Sequence, residues 1–189
     1  MRLKWIAICL TLLAFNLGAC NSVRVVNTNA AQDFNLGKYQ TFSFMEVTTS
    51  ADTAGIPIPP EYVNSLKQEI TRQLAQRGLR PSESNADLQV NVGVVVQEKT
   101  QTRQTDIRTD PPFYMGQRRY TWKSREVEVG RYKEGTVSVH LVDRASNELV
   151  WSAEAESVIP DKAEKVQERI SEGMEKLFSA LPAAGTSAK

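Results

Sequence analysis

Few residues in this chain could do acid–base or nucleophilic chemistry. Nucleophilic catalysis needs an activated Ser, Cys or Thr beside a base, and the only histidine is His140. It alternates with Val139 and Leu141, so on a strand it points away from the face carrying Val137, Val139 and Leu141. Two carboxylate pairs, Glu154 with Glu156 and Glu126 with Glu128, share the two-residue spacing that puts them on one strand face. Such pairs could in principle run glycoside hydrolysis, but on sheets they are usually solvated. Asp143 precedes the turn-forming run Arg144-Ala145-Ser146-Asn147 and reads as a turn residue. Between Lys99 and Lys133 nine basic residues face four acidic ones, interleaved with Phe113, Tyr114, Tyr120, Trp122 and Tyr132. Its centre, Arg118, Arg119, Tyr120, Trp122, Lys123, Arg125 and Tyr132, is a candidate patch for an anionic glycan, a lipid phosphate or a protein partner. By contrast Glu148–Lys176 carries eight acids and four bases.

The N-terminus is more specific. A basic start (Arg2, Lys4) precedes an apolar stretch, Trp5–Phe15, and then Leu17-Gly18-Ala19-Cys20. An apolar region of about 7–15 residues ending in small residues defines a secretory signal, and it falls short of the ~20 residues that span a bilayer. Leu17-Gly18-Ala19-Cys20 resembles the lipobox of bacterial lipoproteins. That resemblance implies cleavage before Cys20, a diacylglyceryl thioether and an N-acyl chain on it, and attachment stronger than one acyl chain provides. Asn21, rather than Asp, then implies the periplasmic face of the outer membrane in an enteric-type Gram-negative host.

Processing would remove Cys9 and modify Cys20, leaving no free thiol; with one histidine the usual zinc ligand sets cannot be assembled. No Asp-x-Asp-x-Asp calcium loop, Gly-x-Gly-x-x-Gly or P-loop is present, so no metal or cofactor is expected. Losing Arg2 and Lys4 turns a formal charge of +1 into −1, a balance unsuited to bulk nucleic-acid binding.

The elements that would position these groups follow from periodicity. The expected divisions are a signal over 1–19, a lipidated cysteine and tether over 20–33, one domain over 34–182 and a disordered tail over 183–189. A strand is expected at Tyr39–Met45. A helix from about Pro60 to Arg77 carries Val63, Leu66, Ile70 and Leu74 as its stripe and stops at Gly78. Strands follow at Leu88–Gln97, roughly Tyr120–Val129, Glu134–Val142 and Glu148–Val158. A last helix begins near Asp161, with Glu164 completing an Asp version of a capping box; its stripe is Val166, Ile170, Leu177 and Leu181. The expected fold is α+β, a two-layer sandwich with both helices on one face of a mostly antiparallel sheet of roughly four to five strands, in the order β-α-β-β-β-β-α.

Several segments together are similar to a known family. They are the lipobox, Lys38-Tyr39-Gln40-Thr41-Phe42-Ser43-Phe44, Leu74-Ala75-Gln76-Arg77-Gly78-Leu79, Ala86-Asp87-Leu88-Gln89-Val90, Gly135 through Asp143, and Glu148-Leu149-Val150-Trp151. The combination resembles the bacterial lipoproteins of domain of unknown function 4136, over roughly Asp33–Leu181. The element order is also similar to the small lipoprotein subunit of the lipopolysaccharide translocon, at the level of fold. The resemblance carries over no catalytic residue. The expectation is a non-enzymatic envelope module with a membrane and an envelope protein as partners. The alternative is binding of an anionic glycan or lipopolysaccharide through the basic-aromatic segment. A carboxylate-dependent hydrolase ranks third.

Overall fold

Strict alternation of apolar side chains decides which face of the sheet is covered. In the segment Leu88–Val96 the even-numbered residues are buried and the odd ones half-exposed, the pattern of a strand with one covered face. The structure is a computed structural model that describes residues 23–49, 56–110 and 123–182. Its strands are β1 (Val23–Ala30), β2 (Thr41–Phe44), β3 (Thr48–Thr49), β4 (Arg80–Pro81), β5 (Leu88–Gln104), β6 (Glu126–Asp143) and β7 (Glu148–Val158). Its helices are α1 (Pro60–Ala75) and α2 (Ala163–Ser179). All seven strands form one mixed sheet, ordered β1-β7-β6-β5-β2-β4, with β3 also paired to β5. The β1, β7, β6 and β5 neighbours are antiparallel, whereas β2 and β3 run parallel to β5.

Cross-strand register stacks the covered face in rows. Val90, Leu141 and Trp151 form one row, and Val92, Val139 and Ala153 the next. Onto these rows α1 packs Leu66, Ile70 and Leu74, and α2 packs Met174, Leu177 and Phe178, in a single core. Pro60 opens α1, where its missing N–H costs nothing, and Gly78 ends the following turn at φ +92°. The stripe residues Val63 and Ile170 are half-buried rather than buried.

One end of this sandwich is tied together by polar groups. The Asp87 carboxylate accepts from the Gln40 and Thr41 backbone N–H groups at 2.8 and 2.9 Å, and the Asp87 N–H donates to Thr41 Oγ1 at 3.0 Å. The bonds from the Gln40 and then the Thr41 backbone N–H hold the Asp87 carboxyl below its ordinary range. Asp143 accepts from the Ala145 and Ser146 N–H groups and from the Tyr39 hydroxyl at 3.0 Å. Its carboxyl is likewise lowered, chiefly by Ser146, while burial and then Asp143 push the Tyr39 phenol up to about 12. At the same end Arg77 Nη2 donates to the Phe178 carbonyl at 2.8 Å, with its guanidinium 5.6 Å from the Phe178 ring centroid. Arg77 Nη1 also donates to the nearly buried Gln73 side chain. One cation thereby closes α1 against the end of α2.

The expectations differ from this structure in several places. The sheet has seven strands and is mixed, because β2, β3 and β4 enter parallel. The expected tether is, from Val23 onward, the edge strand β1, held by a ladder to β7 that a bulge interrupts between Val25 and Asn27. That bulge, with exposed polar residues, masked the strand's period. The strand expected at Tyr39–Met45 is the shorter Thr41–Phe44, and the one ending at Gln97 continues to Gln104. The described part of the strand expected at Tyr120–Val129 merges with Glu134–Val142 into the single 18-residue β6. Asp161 does not cap α2: Lys162 occupies that position without a side-chain bond.

Candidate docking end with an apolar pocket

At the other end of the sheet the elements separate. Val23 of β1, Ser157 of β7, Gly135 of β6 and Val96 of β5 lie side by side in one row. The N-terminal half of each helix overlies this end, and between them is a cavity of about 350 Å³. Val94, Val96, Val137 and Ala155 form its floor, Tyr62 and Leu66 of α1 one wall, and Val166, Ile170, Gly173 and Met174 of α2 the other. The segment Ile56–Pro59 reaches it because the Ile56 N–H donates to the Val96 carbonyl. Gly173 leaves space here: a Cβ added to it would meet only Val23, at 3.9–4.0 Å. Polar residues also line it. Glu156 is paired with Arg24 at 2.6 Å, Arg169 bonds Ser157 Oγ and Glu172, and Lys133 and Asp161 are exposed.

Beyond that row β7 follows one step further, with Val158 opposite Glu134 and the Ile159 N–H donating to the Lys133 carbonyl. Past that point, among the described residues, β5 and β6 pair only with each other, and every β5 residue from Gln97 to Gln104 is exposed. At ~3.3 Å per residue this two-stranded ribbon projects about 25 Å from the sheet. Ion pairs brace it: Lys99 with Glu134, Arg131 with Glu128 and Glu98, and Arg103 with both oxygens of Asp110. Arg103 is the main reason the Asp110 carboxyl lies far below its usual range. An isolated hairpin is marginal in water, so these pairs and the bond from Thr102 to Glu126 matter to its order.

The predicted site residues divide between these features. Lys123 and Arg125 are exposed at the far end of the ribbon, and among the described residues their side chains have no ion-pair partner. Tyr132 is half-buried opposite Lys99. Arg118, Arg119, Tyr120 and Trp122 lie outside the described residues, as do Leu17, Gly18, Ala19 and Cys20. Of the other described basic residues of the segment, Lys99, Arg103 and Arg131 are committed to ion pairs within the ribbon. His140 lies half-buried on the uncovered face between Asn91 and Ser152. Glu154 and Glu156 share that face, but Glu156 is bound to Arg24. Glu126 and Glu128 bond Thr102 and Arg131. Among the described residues no three His, Cys, Asp or Glu side chains are grouped to hold a metal. Sequence reasoning missed the pocket. Its one signal is Gly173 inside the apolar stripe of α2, where glycine costs roughly 0.5–1 kcal/mol relative to alanine.

No curated protein matches the chain. Among solved structures it is similar to a PDZ domain protein from Parabacteroides distasonis, with TM-score 0.52 and 12% identity over 88% of this chain and 37% of that one. The chain thus spans little more than a third of that protein. It is also similar to a PelC dodecamer from Paraburkholderia phytofirmans, with TM-score 0.50 and 14% identity over 85% of this chain and 98% of that one. At these identities the likeness is one of fold. Residues 26–183, which take in most of β1 and every later element, match the model of a domain of unknown function, and the chain belongs to that family, DUF4136.

Proposed function

We propose that this is a lipid-anchored envelope protein that works by docking rather than catalysis, with Cys20 as the anchor and the open end of the sheet as its working end. One observation carries the reading. Val23, three residues after Cys20, sits in the same cross-strand row from which the β5–β6 ribbon departs. Three extended residues span at most about 10 Å, so the anchor would hold this end close to the bilayer. In an enteric-type Gram-negative host Asn21 would place it on the periplasmic face of the outer membrane. The exposed ribbon is then the arm that meets an envelope partner. The commitment of Glu156, Glu126 and Glu128 to other side chains supports docking over hydrolysis.

The anchor is tested by acyl labelling and membrane partition of the wild type and Cys20→Ser. Loss of both label and membrane association in the variant is expected; persistent labelling refutes the assignment. A second reading, binding of an anionic glycan, is favoured by exposed Lys123 and Arg125, which follow Arg118 and Arg119 closely in sequence. Charge reversal at Arg118 and Arg119 would then abolish glycan binding, and added salt would weaken it. Unchanged affinity in both tests removes this reading.

A further inference from the structure

We infer that the apolar pocket at the open end seats one acyl chain of the lipid on Cys20, an inference that rests on the lipidation proposed above. Its volume, about 350 Å³, lies within the ~300–1,000 Å³ of small-molecule sites. Its interior is aliphatic: Val94, Val96, Val137, Ile170 and Met174 face it. A cavity of this character offers water few partners and favours an apolar occupant. The charges around it do not select a charged headgroup. Glu156 and Arg169 are engaged by Arg24 and by Ser157 and Glu172, and exposed Lys133 and Asp161 balance in sign. An uncharged hydrocarbon chain is the chemistry that fits.

The position of Val23 chooses among sources of such a chain. Val23 lines the pocket and is 6% exposed. Only Asn21 and Ser22 separate it from Cys20. A chain on Cys20 is therefore tethered within about 10 Å of the cavity, and tethering raises its effective concentration over that of free lipid. With one chain in the pocket and the others in the bilayer, the domain is held in one orientation. The ribbon then projects at a fixed angle instead of swinging about the Asn21–Ser22 link.

The test uses the full-length protein in its native envelope, with Ile170 replaced by a diazirine-bearing leucine analogue. After irradiation, digestion and mass spectrometry, the expected product joins the α2 peptide to the acylated N-terminal peptide of the same chain. The product should vanish with Gly173→Leu, which fills the cavity. Val137→Ile does so more gently if that variant fails to fold. The same probe at Leu149, at the opposite end of the sheet, should give no such adduct. Adducts to free phospholipid instead, or none to any acyl chain, would overturn the inference. Lipidation is read separately in the same spectra. An unmodified Cys20 overturns the anchor itself, whereas an acylated Cys20 with no adduct overturns only the seating in the pocket.

Discussion

Where Asp87 and Asp143 meet Thr41 and Tyr39, the polar groups of adjoining strands bond one another, and Arg77 fastens the two helices to each other. Near the row of Val23, Ser157, Gly135 and Val96, a cavity separates the helices, and among the described residues two strands leave the sheet paired only with each other. The same sheet runs through both ends. What differs is how the space above it is filled: at the first by Trp151, Phe178 and Leu74, all at most 1% exposed, at the second by a floor of Val94, Val96, Val137 and Ala155 with a cavity above it. The closed end is held by this packing and bonding; the open end has the room, the exposed strands and the nearness in sequence to Cys20 that the proposed docking would use.

This contrast predicts unequal costs of truncation. Trp151→Ala should cost about 3–5 kcal/mol of unfolding free energy, because it empties a filled site. Ile170→Ala borders an existing void and should cost less than about 2 kcal/mol. Urea denaturation measures both, and equal losses would break the distinction. Gly78→Ala should follow at about 1–2 kcal/mol. Its added Cβ meets nothing within 4 Å, so the loss is strain from φ +92° alone.

The polar groups of the closed end should also make stability depend on pH. Burial and Asp143 raise the Tyr39 phenol from about 10 to about 12. Its contribution is therefore complete below about pH 10 and is lost as pH rises through about 12. Tyr39→Phe should remove that alkaline component, as followed by the thermal midpoint across pH. Asp87 and Asp143 have lowered values, so their contribution is present above the ordinary carboxylate range, ~4, and declines as pH falls below it. An unchanged alkaline limb in Tyr39→Phe would deny the phenol this role. The smallest effect belongs to the ribbon. Removing exposed Lys99 or Arg103 should leave the global midpoint unchanged while loosening the hairpin, which raises amide exchange in Gln97–Gln104.

The two ends were also unequally legible in the sequence. At the closed end local chemistry announces structure. Gly78 stops a helix, Asp143 starts a hairpin, and Leu88–Val96 alternates cleanly; the segments that resemble the family are largely these. Even there Arg77 and Asp87 looked like parts of a helix stop and a strand start. Their partners, Phe178 and Thr41, are distant in sequence. At the open end the signals fail for physical reasons. A bulged edge strand, Val23–Ala30, needs no alternation of apolar residues, and a free ribbon buries neither face, so Gln97–Gln104 has no hydrophobic period to read. The pocket arises where helices from opposite halves of the chain part, which no local pattern encodes.

In the function proposed above, the open end does the work. Val129 on the ribbon and Leu149 at the closed end are equally exposed, 48% each, and differ mainly in location. A photocrosslinker placed at each, in the intact envelope of cells making the full-length protein, compares the two ends directly. The account predicts a discrete protein adduct from Val129 and none from Leu149. A discrete adduct from Leu149 with none from Val129 would contradict it.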